Sequence, residues 1–373
     1  MRDKRTIFVV LWVFFLFLLM HSATEAVETV EIDRVRSKGV LDEKDFKIID
    51  GFIADAVRAL VDTRDFTSIA KERTVILSRS SSNEQSAAAQ YAEQFSESAY
   101  KHISNAFKEA EKLTSEEHKL KVILNLLILV DGMENVRLAE LAMLKMQDDN
   151  AIIRYWAVHS VTNPGFIKRL NPTETTNLQL AESITEELKK LADKVSPEIL
   201  ALIVEFAGGV DIPQAENLLL RIADMRINKY ADWTVEYELL DSTILKLLDD
   251  KIPSEGANKP AIAHRFAQLY SYAIQRYVKG EEFLDYRQRQ QLASVLVETE
   301  VFCISRRLRM AQSIIKKAVE EDDYAAMLQE HSRLLGDETR PGQLALELKF
   351  DYGEMPDGSK RTAPLVLPDP PGK

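Results

Sequence analysis

The feature that most constrains this chain is a break in helical periodicity between Leu141 and Val161. Before the break, apolar side chains recur three and four positions apart, as on one face of an α-helix, at Leu138, Leu141, Ala142, Leu144 and Met146. The short polar residues 148–150 interrupt this series and favour a turn and a helix N-cap. A second series follows at Ile152, Ile153, Trp156, Ala157 and Val161. The stretch therefore predicts two helices joined by a tight turn.

We expect the second helix to stop at residues 163–165. Pro164 disfavours helical geometry in Asn163, and Gly165 readily takes a turn conformation. A pair of short antiparallel helices cannot bury both apolar faces by itself, so the hairpin needs neighbours of the same kind.

The turn and the second helix resemble the HEAT-type helical repeat. That family carries an acidic turn, an aliphatic-Arg pair and a small residue one turn later, and the matching residues here are Asp148, Asn150, Ile153, Arg154 and Ala157. The sequence departs from the pattern at Asp149 and Ala151, where proline is common, and at the bulky Tyr155 and Trp156. The resemblance covers residues 138–161 only. It implies an all-α fold, an α-α superhelix of stacked antiparallel helix pairs, and no activity.

Within that resemblance, Arg154 is expected to bond acidic groups or carbonyls of the neighbouring turn. Contact with a ligand is the alternative role for this side chain.

The N-terminus predicts export. Arg2, Lys4 and Arg5 precede an apolar run over residues 7–20, and small or polar residues follow through Ala26. These are the parts of a secretory signal peptide, and the run is short for a membrane span. Cleavage after Ala26 would give a periplasmic or extracellular protein, while an uncleaved segment would anchor it to a membrane.

The remaining chain divides by pattern. We expect an extended leader over 27–40, an N-terminal helical bundle segment over 41–113, a repeat region over 114–336 and a mostly disordered, proline-containing tail over 337–373. Starts of apolar helices near Thr114, Asn150, Ser196 and Asp232 recur at about 36 to 46 residues, as in two-helix repeats. Only 13 Gly and 12 Pro occur, mainly where helices should end.

The net charge and the cysteine content limit the kinds of partner and of chemistry that the chain can have. With 48 Lys and Arg against 59 Asp and Glu, the net charge is −11, so nucleic acid is a poor partner. Cys303 is the single cysteine, so no disulfide can form within the chain. We interpret Cys303 as a buried small hydrophobe, with a reactive thiol as the alternative.

No chemical motif is present. The sequence lacks HExxH, GxSxG and a P-loop, and its histidines are scattered singly. We therefore expect no catalytic residues, no cofactor and no metal.

Two groups of residues are candidates for partner binding. Arg306, Arg307 and Arg309, with Lys316 and Lys317, form a basic cluster that is either a solvated helix face or a docking site for an anionic partner or headgroup surface. Trp233 and Tyr237 lie four positions apart, so they either pack in the core or form aromatic anchors on one helix face.

The sequence thus predicts an exported, non-catalytic helical scaffold or adaptor whose partner is another protein. The alternatives are an enzyme or enzyme subunit with a cleft between the N-terminal helices and the repeats, and a membrane-tethered structural protein of the envelope. Partner identity and oligomeric state stay open.

Overall fold

A computed structural model of the chain describes residues 27–170, 175–252 and 258–371. The predicted all-α class is confirmed, since 71% of the structure is helical and strands are almost absent from these ranges. Among the described residues, no helix is long and apolar enough to cross a membrane. The predicted signal peptide, 1–26, lies outside them. The chain divides into two compact units, 1–160 and 161–373.

The first unit is a set of helices separated by short turns. They are α1 (Val30–Arg36), α2 (Glu43–Asp62), α3 (Phe66–Leu77), α4 (Ala88–Ala110), α5 (Glu116–Met133), α6 (Ala139–Met143) and α7 (Ala151–Thr162), with 3₁₀ turns at Gln85–Ala87 and Val136–Leu138. Helix α2 contacts α3 and α4, and α5 also contacts both of these helices.

Helix caps in this unit follow the local sequence. Asp42 and Asp45 form a capping box at the start of α2, where each side chain accepts a backbone N–H of the other. The helix start expected near Thr114 lies one residue later, because Ser115 caps α5 and its hydroxyl accepts the backbone N–H of His118 at 3.3 Å. The prediction of a helix start was right and its register was wrong by one residue.

The predicted helix-turn-helix is present with a shorter first helix. Helix α6 has five residues, and the chain from Leu144 to Gln147 continues as turns. Asn150 begins α7 by accepting the backbone N–H of Ile152 at 2.9 Å. Arg154 donates to the carbonyl oxygens of Asp148 at 2.7 Å and Asp149 at 2.9 Å, so its expected bonding to the turn is confirmed.

The expected extended leader is wrong over residues 30–36. This segment forms α1, which buries Ile32 and Val35 and contacts α2. Apolar residues at positions 32 and 35 are three apart, the spacing that places both on one face of a short helix.

The second unit contains eleven helices within the described ranges. They are α8 (Pro164–Leu170), α9 (Thr175–Leu191), α10 (Pro197–Gly209), α11 (Pro213–Ala231), α12 (Leu240–Lys251), α13 (Lys259–Lys279), α14 (Tyr286–Glu298), α15 (Ser305–Leu308), α16 (Ile314–Glu320), α17 (Tyr324–Leu335) and α18 (Gln343–Leu348). A π-helix, Thr299–Ile304, links α14 to α15, and strands β1 (Gly336–Asp337) and β2 (Arg340–Pro341) form an antiparallel pair.

Helix α7 ends at Thr162, so the predicted stop of the second helix at residues 163–165 is confirmed, but Gly165 lies inside a new helix and not in a turn. Asn163 caps a new helix, because its side-chain oxygen accepts the backbone N–H of Phe166 at 2.8 Å. Pro164 then occupies the first helical position, where the missing N–H of proline costs nothing.

Four helices of the second unit, α9 to α12, each contact the next helix but one in the sequence. The pairs are α9 with α11, α10 with α12, α11 with α13 and α12 with α14. Neighbours α10 with α11, α12 with α13 and α13 with α14 also pack together.

Helix α13 is the centre of this unit, since every residue from Phe266 to Tyr277 is buried. It contacts α11, α12, α14, α17 and α18. The tail also lies against it, so the prediction of a mostly disordered segment over 337–373 is wrong for the described part. Leu344, Leu348, Tyr352 and Leu367 of that segment are buried.

Candidate functional site

Two arginines of the predicted basic cluster turn towards a buried carboxylate. Asp249, at the end of α12, is fully buried. Its carboxylate accepts a hydrogen bond from Nε of Arg306 at 2.9 Å and also pairs with the guanidinium group of Arg307. Arg306 also pairs with Asp250 at 2.7 Å. The hydrogen bonds that Arg306 donates to the carboxylates of Asp249 and Asp250 hold the pKa of Arg306 above its usual range. Both arginines therefore attach α15 to α12, and Arg307 offers little surface to a partner.

Arg309 has a different environment. It ends α15 in the left-handed region, with φ of 52°, and its side chain is exposed. Within the part of the chain that the structure describes, neither Arg309 nor Lys317 forms an ion pair, and the nearest acid to Lys316 is Glu320 at 3.9 Å. Of the predicted basic cluster, Arg309 and Lys317 are therefore the exposed cations without an ion pair among the described residues.

Apolar side chains are exposed in the same stretch of chain. Phe302 is 67% exposed and Met310 is 60% exposed, and Val301 and Ile314 are also exposed. Scattered single apolar residues are normal on a protein surface, whereas a group of them marks interaction sites. We name this set, with its two free cations, the π-helix surface: Val301, Phe302, Arg309, Met310, Ile314 and Lys317.

A buried glutamate fastens the two segments that carry this surface. The carboxylate of Glu300 accepts the backbone N–H groups of Ile315 at 2.8 Å and Lys316 at 2.9 Å, at the start of α16. Val301 follows this glutamate and Ile314 precedes the first donor, so these hydrogen bonds link the two segments that carry the exposed side chains. Burial raises the pKa of Glu300.

Ser305 adds a second link between the segments. Its hydroxyl donates to the carbonyl oxygen of Glu300 at 3.0 Å and accepts the backbone N–H of Gln312 at 2.9 Å. Arg333 of α17 then donates to the side chain of Gln312 at 2.6 Å. These bonds hold the loop after α15 in place, so the exposed apolar groups stand on a fixed backbone.

The π-helix itself is a further sign of a functional surface. Single turns of π-helix are rare and occur frequently at functional sites. Cys303 lies within it and is buried, as predicted, and burial raises the pKa of its thiol to about 12. The thiol is therefore neutral at physiological pH and unsuited to nucleophilic chemistry.

Trp233 and Tyr237 do not form a pair on a helix face. They lie in the loop between α11 and α12, and both have positive φ, 58° and 56°. Trp233 is buried against Phe283, with ring centroids 5.2 Å apart, and beneath the guanidinium of Arg276. The core-packing interpretation is right for Trp233, whereas Tyr237 is 40% exposed.

A cleft of about 520 Å³ in the first unit was not anticipated from the sequence. Its lining includes Glu111, Glu116, Glu117 and residues 148–150. Glu111 pairs with Lys119 at 2.5 Å and with Lys145, and these lysines lower its pKa. A general acid needs a raised carboxyl pKa, so the cleft has no sign of acid catalysis at this residue.

Across residues 27–170, 175–252 and 258–371, no group of three or more His, Cys, Asp or Glu side chains is placed to hold a metal ion.

One histidine has a strongly altered environment. His331 on α17 lies 2.8 Å from the hydroxyl of Ser271 on α13, and burial lowers its pKa to about 4. It is therefore neutral in the folded protein at pH 7.

We expect acid to destabilise the fold through His331. The unfolded side chain takes up a proton below about pH 6.5, while the folded one resists protonation, so the stability present above that pH is lost as pH falls towards 4. The loss is up to about 1.4 kcal/mol for each pH unit. Urea unfolding at pH 7, 6 and 5 should show a shallower pH dependence for His331→Gln than for wild type. Parallel pH profiles for the two proteins would contradict this assignment.

Comparison with known protein families, with curated proteins and with solved structures found no match to this chain.

Proposed function

We propose that this protein is a non-catalytic helical scaffold that binds another protein through the π-helix surface. The observation that carries the proposal is that Val301, Phe302, Met310 and Ile314 are all exposed within one short stretch of chain, whose backbone is held by Glu300. Interfaces take their energy from a few large apolar anchors within a polar rim.

The charges indicate what kind of protein segment fits. Arg309 and Lys317 flank apolar groups on a chain whose net charge is −11. A partner segment with apolar side chains and carboxylates would satisfy both features, and opposite charges would favour encounter with the correct orientation. We therefore propose an acidic, amphipathic segment of a second protein as the occupant.

The helix contacts support a scaffold of stacked helix pairs in the second unit. Contacts between every second helix, from α9 to α14, are what a two-layer stack requires. In such a stack each pair packs on its neighbours and leaves one face for binding. The N-terminal basic and apolar segment supports the further proposal that this scaffold acts outside the cytoplasm.

The anchor role of Phe302 can be tested by substitution. We expect Phe302→Asp to weaken binding of the partner by about 30-fold or more, because a buried aromatic anchor contributes 2 kcal/mol or more to an interface. Arg309→Glu should weaken binding less, and its effect should shrink as salt is raised, since exposed charges are screened. A photo-crosslinking amino acid at position 302 would identify the partner, and titration with the purified partner would measure both variants.

Tyr286→Asp is the matched control. Tyr286 is an exposed aromatic at the far end of α14, about 24 Å along a continuous helix from Phe302. Equal loss of binding for the two aspartate variants would contradict a docking role for the π-helix surface. Binding of wild type to anionic vesicles, lost in Phe302→Asp, would instead identify the surface as a membrane contact.

A further inference from the structure

A short segment of the tail lies along α13 with a three-residue period. Pro364, Leu367 and Pro370 are buried, while Leu365 and Val366 between them are exposed. The segment has no helix or strand hydrogen bonds of its own. Burial of every third residue matches a polyproline II helix, which has three residues per turn and leaves its backbone groups free to bond elsewhere.

Two glutamines of α13 supply those backbone bonds. Gln268 accepts the backbone N–H of Leu365 at 2.8 Å and donates to the carbonyl of the same residue at 3.3 Å. Gln275 accepts the backbone N–H of Leu367 at 2.7 Å and donates to the carbonyl of Leu365 at 3.2 Å. Each side-chain amide therefore bonds both an N–H group and a carbonyl group of the segment's main chain. The glutamines are seven residues apart, two helical turns, and lie on one face of α13.

Two further residues complete the contact. Lys279 donates to the carbonyl of Leu367 at 2.6 Å and pairs with Asp369 at 2.9 Å. Trp233 donates its indole N–H to the carbonyl of Pro368 at 3.0 Å. Trp233 is held in this position by a backbone of positive φ, a conformation that is uncommon for a residue other than glycine and that clusters at functional sites.

A second contact, within α13, also orients the side chain of Gln275. Its amide donates to the hydroxyl of Ser271 at 2.8 Å, and that hydroxyl lies beside His331. A buried glutamine whose amide is fixed by a serine and aimed at a main chain is a prepared recognition group. We name the set Gln268, Gln275, Lys279 and Trp233 the tail groove.

We propose that the tail groove is a binding site for an extended, proline-containing segment of another protein, and that residues 364–369 occupy it as an internal ligand. Recognition is mainly through main-chain atoms, so segments of other sequence can make the same bonds. Specificity comes from the apolar side chains at the buried positions and from a carboxylate placed to meet Lys279. This inference concerns a different set of residues from the π-helix surface and does not depend on it.

The proposal requires that the internal segment can be displaced. In the full chain, Leu367→Asp should release the segment, because a carboxylate would replace a side chain that is fully buried. A fluorescent peptide with the sequence of residues 361–371 should then bind the variant at least tenfold more tightly than it binds wild type, measured by anisotropy. Adding Gln275→Ala to the variant should weaken peptide binding at least tenfold.

A peptide carrying aspartate at the position of Leu367 is the matched control and should not bind. Failure of the natural peptide to bind a helical, folded Leu367→Asp protein would overturn the proposal, as would equal binding of the control peptide.

Hydrogen exchange on wild type provides an independent measurement if the variant does not fold. Excess unlabelled peptide should speed exchange of the Leu365 and Leu367 amides, which are protected by the glutamines, and should leave the amides of α5 unchanged. No change at saturating peptide would show that the segment is a fixed part of the fold and would overturn the proposal.

Discussion

Asp241→Asn is expected to lower the free energy of unfolding by about 3 to 5 kcal/mol, the cost of removing one partner of a buried ion pair. Asp241 and Arg226 are both buried, and the carboxylate receives Nε at 2.7 Å and Nη2 at 2.8 Å. The hydroxyl of Tyr230 donates to the same carboxylate at 2.8 Å. Asparagine keeps the volume but leaves the guanidinium charge without a counterion.

The charge on Arg226 will persist in that variant. Burial lowers the pKa of Arg226, but Asp241 beside it more than compensates, so the pKa lies above its usual range. Without the carboxylate of Asp241, burial still lowers the pKa and Glu238 still raises it, and an arginine does not release its proton at neutral pH. The destabilisation therefore cannot be relieved by deprotonation.

Urea unfolding followed by circular dichroism would measure this effect. The control is Asp224→Asn, which removes the partner of Arg265 in an ion pair whose acidic side chain is 47% exposed. We expect a change below about 1 kcal/mol there, because exposed ion pairs contribute little. Similar losses for the two variants would show that the Arg226–Asp241 pair is not a buried determinant of stability.

Glu300→Ala is expected to cost about 2 to 4 kcal/mol, because it leaves two backbone N–H groups of α16 without an acceptor. Glu300→Gln should cost less, since its amide oxygen can still accept one of the two bonds. Thermal unfolding of both variants beside wild type would test the order. A glutamine variant less stable than the alanine variant would contradict the capping role.

The pH dependence of the glutamine variant gives a second measure of the same site. The pKa of Glu300 is raised in the folded protein, chiefly by burial, so its protonation stabilises the fold in acid and this contribution is lost as pH rises through the folded pKa. Glutamine does not titrate. The stability of Glu300→Gln relative to wild type should therefore increase from pH 4 towards neutral pH, and a constant difference would contradict the assignment.

A variant that reverses the charge of Arg306, Arg307 and Arg309 together would not separate an effect on binding from an effect on folding. Asp249 is buried and depends on the first two guanidinium groups. Only Arg309 and Lys317 can be reversed to test the basic character of the π-helix surface alone.

Local sequence predicted the parts of the fold that local physics controls. Apolar residues three and four apart identified the two helices on either side of the turn, and the polar turn at 148–150 with Arg154 formed as expected. Short-range signals also misled in places. The mixture of valines and charged residues over 27–40 predicted an extended segment, whereas residues 30–36 form α1. The prolines after residue 363 predicted disorder, whereas the structure has an ordered segment there.

The environments of the residues proposed for binding are set by contacts between distant positions. Nothing near Arg306 in the sequence shows that Asp249, 57 residues away, is its partner, and nothing near Trp233 shows that Pro368, 135 residues away, accepts its indole N–H. Helical period, capping and composition depend on neighbours within a few positions, so the sequence alone determined an acidic, helical chain. Which cations and aromatic rings remain exposed depends on which buried groups need a partner, and only the tertiary structure decided that.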